Sequence, residues 1–334
     1  MTIEKTDLVI IGAGPVGLFA CFEAGMLKIK SHIIDTLEFT GGQCTALYPE
    51  KPIYDIPAHP NILAADLISN LEEQIKPFEP KINLNQRVEE VKKLENGSFL
   101  VTTSKNTKIE AKAIIIAAGC GAFGPNRPPI AGIEEFEGKS IFYAVKSKQD
   151  FTGKKVAIAG GGDSAVDWAI SLQEVVDKLY VIHRRSRFRC APESADKLKQ
   201  LADAGKIEMV TPYQLKSLEG ENGNLSKVIL EDLDGKNKEI DAEILLPFYG
   251  LRMELGPIAN WGLNINKNLI DVDPSTMQTS EPGIYAIGDI INYKNKLKLI
   301  LTGFSEAAQA CHDIYNIIYP DTPFHFEYST SKGV

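Results

Sequence analysis

The chain has 334 residues, with 36 Lys and Arg against 44 Asp and Glu, a formal net charge of −8, and 44% hydrophobic residues. Such a composition excludes a disordered chain, which is poorer in apolar residues. An acidic total also argues against nucleic acid as the main partner, because a phosphate backbone calls for a basic face. The length suits two ordinary domains. Apolar runs such as 8–11 and 114–118 fall far short of the ~20 residues that span a bilayer, so no membrane partner is expected. The opening residues carry Glu4 and Asp7 rather than the basic and apolar regions of a leader, and the expected location is cytoplasmic.

In chain order, the continuous apolar run 7–11 predicts a buried parallel strand. A glycine-rich turn follows, then a helical pattern over 15–29 and a short strand over 31–34 that ends at Asp35. Residues 36–60, rich in Gly, Pro and Tyr, read as a long irregular loop, and a loop of that length is a functional suspect. An amphipathic helix is expected over 62–75, stopped by Pro77. Strands over 82–91 and 98–103 are joined by an Asn96-Gly97 hairpin turn. A strand over 113–118 opens into a glycine-rich linker, 119–125.

The pattern then restarts with a strand over 155–159, a turn at Gly160-Gly161-Gly162, a helix over 164–176 and a strand over 179–183. A helix over 194–203 and strands with hairpin turns at Asn222-Gly223 and Asp234-Gly235 complete this second half. The run 245–251 reads as a return crossing, followed by a strand over 283–287, a helix over 305–317 and a polar tail over 321–334. The expected fold is α/β, with two Rossmann-like dinucleotide-binding domains: a discontinuous one over 1–118 and 248–334, and an inserted one over 119–247.

The first turn, Gly12-Ala13-Gly14-Pro15-Val16-Gly17, fits G-x-G-x-x-G between a strand and a helix. Gly12 permits the tight turn, Gly14 lets backbone approach a pyrophosphate, and Gly17 lets helix and strand pack closely. The pyrophosphate then meets free N–H groups at the helix N-terminus. Asp35, 18 residues beyond Gly17, stands where a carboxylate bonds a ribose hydroxyl.

The second turn, Gly160-Gly161-Gly162-Asp163-Ser164-Ala165, repeats the design, with Gly160, Gly162, Asp163 and Ser164 as candidate cofactor contacts. Its second strand ends in His183-Arg184-Arg185-Ser186-Arg187-Phe188-Arg189 instead of an acid. Guanidinium forks suit a 2′-phosphate, so the pattern predicts NADP(H), held by Arg184, Arg185 and Arg189. One site with an acid and one with arginines suggests FAD beside NADPH, because a flavin accepts a hydride and releases single electrons.

Taken in order, the 12–17 turn, Gly41-Gly42-Gln43, the 160–165 turn, His183-Arg184-Arg185 and the 283–289 segment ending in Gly288-Asp289 resemble the thioredoxin-reductase-like flavoproteins over nearly the whole chain. That resemblance implies a three-layer β/β/α arrangement and places Asp289 at the ribityl chain and pyrophosphate of FAD. Thioredoxin reductases carry a C-x-x-C motif where this chain has Ala144 and Ser147. Disulfide reduction needs an attacking and a resolving thiol, so that activity is excluded.

Residues 45–55 and the tail Tyr328-Ser329-Thr330-Ser331 resemble instead the ferredoxin–NADP+ reductases of this thioredoxin-reductase-like type. What this implies is an enzyme exchanging electrons between NADP(H) and ferredoxin or flavodoxin. It also implies a homodimer with one FAD per subunit, the tail of each subunit reaching the other's flavin. Tyr48 and Tyr328 would cover the two flavin faces, and Gln43, Val88, Phe123 and Thr330 would join the flavin site. Hydride passes directly to the flavin, so Tyr48, Tyr328 and Thr330 are expected as its surroundings and not as proton-transfer groups. The rivals on this scaffold are a small-disulfide reductase using an isolated cysteine such as Cys44 and an NADPH oxidase. The five cysteines are scattered, and no Cys/His spacing suits a metal. Two lysine groups, Lys146, Lys148, Lys154 and Lys155, and Lys294, Lys296 and Lys298, are candidates for docking an acidic protein.

Overall fold

Leu8, Val9, Ile10 and Ile11 are all buried in one strand, Glu4–Ile11. Side chains alternate across a strand, so burial of four in succession requires cover on both faces. The computed structural model, which describes residues 3–322, supplies it. Ser31–Ile34 and Lys108–Ile116 flank this strand in parallel. The sheet runs in the order Lys81–Asn83, Ser31–Ile34, Glu4–Ile11, Lys108–Ile116, Phe99–Thr103, Val88–Lys93. Lys108–Ile116 is the branch point. Residues 108–111 pair antiparallel with Phe99–Thr103, whereas 114–116 pair parallel with Ile284–Ala286. One branch is therefore a parallel nucleotide-type sheet and the other an antiparallel layer. The helix Pro15–Met26 packs against both Ala64–Ile75 and Ile300–Ile318. Each wholly buried Leu or Ile in this core contributes about 1.5–3 kcal/mol.

The chain forms two compact units, one running to Phe123 and resuming at Met253, the other Gly124–Arg252. The second unit has a parallel sheet in the order Glu208–Val210, Lys178–Ile182, Lys155–Ala159, Ile244–Pro247. Helices Asp163–Leu172 and Pro192–Asp203 pack together beside it. An antiparallel set, Gln214–Glu221, Asn224–Glu231 and Asn237–Asp241, carries both expected hairpins.

Several elements differ from the sequence reading. The helix expected over 15–29 ends at Met26, because Lys28 takes φ 60°. The strand expected over 82–91 is two strands, parted where Asn85 takes φ 55°. The 36–60 loop contains a short helix, Gln43–Leu47. The run expected as a return crossing is a sheet strand, Ile244–Pro247; the crossing is Leu251–Glu254, which pairs with Ala122–Pro125. The last helix begins at Ile300, five residues before the position expected, its start marked by the extended backbone of Leu299 (φ −122°, ψ 146°).

Backbone closure at the first turn leaves no space for a side chain at Gly17: a β-carbon there would stand 2.0 Å from the carbonyl oxygen of Gly12. Gly17→Ala is expected to destabilise the first unit by about 3 kcal/mol, the upper part of the overpacking range. Urea unfolding followed by Trp261 in a Trp168→Phe background reads that unit alone, since the chain has 2 Trp. An unchanged midpoint would contradict the close approach.

Candidate cofactor sites

In the first unit the three glycines of the turn divide by role. Gly12 has φ 114°, and a β-carbon on it would lie 2.3 Å from the Ala117 carbonyl oxygen. Gly17 packs on Gly12, behind the turn. Gly14, by contrast, has nothing within 4 Å of where its β-carbon would be. That open space lies at the N-cap of the helix Pro15–Met26, where unpaired N–H groups favour an anion.

Asp35 follows the second strand and ties the turn to it. Its Oδ2 accepts the Ala13 N–H at 2.6 Å, and its Oδ1 accepts the Leu37 N–H at 2.9 Å. Burial pushes this carboxyl up, while the N–H groups of Leu37, Ala13 and Thr36 pull it back. The Gly41 N–H donates to the Ala13 carbonyl at 2.7 Å, so the 36–60 loop is pinned to the same turn.

Gly12, Gly14, Asp35, Gln43, Tyr48, Val88 and Asp289 all line one cavity of about 320 Å³. Sequence reasoning missed Arg87, Trp261 and Lys298, which also line it. They lie outside any glycine motif and reach the cavity only through the tertiary fold.

Tyr48 ends the helix Gln43–Leu47. The Cys44 thiol faces its hydroxyl at 3.9 Å, and Lys51 Nζ stands 5.7 Å from its ring centre. Burial pushes the Cys44 thiol up to about 11 and the Tyr48 hydroxyl well above its usual range. Both are therefore neutral at pH 7. Cys120 hydrogen-bonds Gln43, and burial raises its thiol as well. Asp289 lies in a turn just past the strand Ile284–Ala286. Burial raises its carboxyl, Lys298 and Lys296 oppose that, and Glu306 adds to it.

The second unit repeats the scheme. A β-carbon on Gly160 would lie 2.6 Å from the Phe248 carbonyl oxygen, and one on Gly161 would strike the His183 ring at 2.2 Å. At Gly162 the nearest atom is 3.9 Å away. Gly160, Gly162, Arg184, Arg185 and Arg189 line a cavity of about 710 Å³. Tyr213 and Tyr249, absent from the sequence reading, line it too.

Asp163 and Ser164 do not line this cavity. The Asp163 Oδ1 accepts the Ala191 N–H at 3.0 Å, and the Arg189 N–H donates to the Gly161 carbonyl at 2.6 Å. Asp163 thus tethers the arginine segment to the turn. Burial, then Arg184, holds the His183 imidazole below its usual range, so it is neutral beside the guanidinium groups. At the positions where a thiol pair would stand, Ser147 accepts the Gln149 N–H at 3.3 Å and caps a short helical turn, and Ala144 has no polar side chain.

Tyr328 and Thr330 lie outside the described residues, as does the side chain of Phe123. Of the lysines considered for docking, Lys296 is buried and paired with Glu306 at 2.6 Å, so it presents no charge to a partner. Lys154 pairs with Glu243 at 3.0 Å. Among the described residues no group of three or more metal-ligating side chains is found, and no helix is long and apolar enough to cross a membrane.

Both cavities fit a dinucleotide on the same grounds: an open second glycine before a helix N-terminus, and a polar tip after the second strand. Comparison with known proteins agrees. Residues 6–307 match the pyridine nucleotide-disulphide oxidoreductase family. A protein of Paramagnetospirillum magneticum named ferredoxin–NADP reductase is 57% identical over 334 residues, covering 100% of this chain and 99% of its own. One of Rickettsia felis with the same name is 58% identical over 329 residues, 98% of each chain. Among solved structures, the thioredoxin reductase of T. acidophilum shares the fold with a TM-score of 0.83 at 24% identity, over 94% of this chain and 98% of that one. That of Lactococcus lactis does so with a TM-score of 0.82 at 22% identity, over 94% and 99%. The chain belongs to the pyridine nucleotide-disulphide oxidoreductase family, in the group that contains these ferredoxin–NADP reductases.

Proposed function

We propose that this protein is a ferredoxin–NADP+ reductase, with FAD in the cavity of the first unit, NADP(H) in that of the second, and ferredoxin or flavodoxin as its electron-transfer partner. The observation that carries the reading is the pairing of an acid-tipped and an arginine-tipped glycine turn in one chain whose Ala144 and Ser147 offer no thiol pair. Full-length relatives of that name support it. Bound FAD would supply the conversion between a hydride and single electrons.

The chain's own residues bind and orient. The helix N-terminus after Gly14 meets the FAD pyrophosphate, Asp35 the ribose, and Asp289 the ribityl side. Val88 and Gln43 border the flavin, and the flat, neutral Tyr48 gives it an apolar face. Gly160 and Gly162 admit the NADP pyrophosphate, while Arg184, Arg185 and Arg189 take the 2′-phosphate. Asp163 acts through the arginine segment it tethers, and Ser164 is the second residue of the helix Asp163–Leu172 that follows the turn. No residue needs to move a proton at the hydride step. The same reading makes the protein a cytoplasmic homodimer. In it Tyr328 covers the second flavin face, Thr330 stands in the flavin site of the other subunit, and Phe123 stands beside the flavin. Support for these last assignments is the resemblance of residues 45–55 and of the tail to ferredoxin–NADP+ reductases of this type.

The reading predicts that purified yellow protein, kept free of oxygen, oxidises NADPH rapidly with ferredoxin and not with small or protein disulfides. Turnover with a disulfide alone would overturn it, and rapid peroxide formation in air with no partner would identify an oxidase. Replacing both Arg184 and Arg185 by Ala should raise the KM for NADPH about a hundredfold. Two lost charge-assisted phosphate contacts each weigh about tenfold or more. The KM for NADH should change little. Equal loss for the two nucleotides would remove the arginines from the 2′-phosphate.

A further inference from the structure

Glu306 is an unusual residue for its position. It lies on the helix Ile300–Ile318, on the buried face formed with Gly303, Ala307 and Ala310, and it is 2% exposed. Glutamate is seldom buried to this degree without a partner, because desolvating its charge is costly. Glu306 has three partners. Its Oε2 accepts the Gly288 N–H at 2.8 Å, and its Oε1 accepts the Tyr293 hydroxyl at 2.7 Å and the Lys296 ammonium at 2.6 Å. The Lys296 side chain is 5% exposed, and its Nζ stands 5.8 Å from the Tyr293 ring centre.

All three donors come from one segment, 288–296, and the residue after the first of them is Asp289. One helix carboxylate therefore staples this segment at both ends and in its middle. Lys298 and Lys296 also hold the Asp289 carboxyl down against burial, while Glu306 raises it, so the ion pair is electrostatically coupled to Asp289, which lines the cavity with Lys298. Stability alone does not explain such a pair. A buried ion pair is often no more stable than well-packed apolar residues of similar volume. What a triply bonded carboxylate supplies is a single geometry for the backbone that it holds.

We propose that Glu306 and Lys296 are positioning residues for the flavin site: their ion pair fixes the Gly288 amide, and through it the place of the Asp289 carboxylate in the cavity. The inference rests on the reading of that cavity as the FAD site. Neither residue touches the cofactor. Their effect reaches it through Gly288-Asp289 and the 293–298 segment.

The test is FAD binding to apoprotein, followed by quenching of FAD fluorescence and by the visible circular dichroism of the bound flavin. Glu306→Gln and Lys296→Met are each expected to raise the FAD Kd about tenfold or more, the weight of one hydrogen bond to a charged group. Each is also expected to alter the visible dichroism. The double variant should lose less than the product of the two single losses, because each single change strands the other's charge. Thermal melting of the apoproteins and NADP+ binding by the second unit serve as controls for folding. If Glu306→Gln does not fold, Lys296→Met carries the same comparison. Lower apoprotein melting with an FAD Kd within about twofold of wild type and an unaltered dichroism would show a merely structural pair and overturn the proposal. So would single losses that multiply fully in the double variant. Wild-type apoprotein that takes up no FAD would instead overturn the reading of the cavity itself.

Discussion

The rest of the structure depends on a steric constraint at the first strand–helix turn: backbone must touch backbone there. At Gly12 a β-carbon would stand 2.3 Å from the Ala117 carbonyl oxygen, and at Gly17 it would stand 2.0 Å from that of Gly12. Those contacts draw the turn, the end of the strand Lys108–Ile116 and the start of the helix Pro15–Met26 together. Their closeness opens the one position that is free, Gly14, toward the cavity. The second unit solves the same problem with Gly160 against the Phe248 carbonyl oxygen and leaves Gly162 comparatively open. In both units, the helix N-terminus faces space of the right polarity because glycine has removed the obstacles around it.

Given two such cradles, electrostatics separates them. The carboxylate of Asp35 is aimed by two backbone N–H groups, so it accepts hydrogen bonds in a fixed direction and repels an added phosphate. Arg184, Arg185 and Arg189 are exposed at the corresponding place, where several donors on long side chains can close on a phosphate. Thiol chemistry is absent from the corresponding segment of the chain. Ser147 serves as a helix cap, and burial holds Cys44 and Cys120 in the thiol form. The fold shared with thioredoxin reductases is thus left with a flavin-type site and no built-in disulfide partner.

The two βαβ units were legible because their signals are local: apolar runs, glycine spacing and the charge at a strand end all lie within about 30 residues. What was not legible depends on contacts between distant residues. The run 245–251 reads the same whether it crosses between units or fills a sheet, and only pairing with Lys155–Ala159 decides it. Asp163 is a candidate cofactor contact in the sequence, yet its side chain accepts the Ala191 N–H. Lys296, within a group of three lysines, reads as a surface charge. Its burial follows from Glu306, a buried acid in an apolar helix pattern that gives no sign of its partner. Arg87 and Trp261 reach the first cavity from elements with no nucleotide motif.

The central claim is that electrons pass through the flavin with no thiol pair in the circuit. An anaerobic titration of the yellow protein with NADPH tests it most directly, the flavin absorbance being followed to completion. A single hydride equivalent per bound flavin is expected to exhaust the protein's capacity. Uptake of a second equivalent would reveal a hidden redox-active disulfide and contradict it.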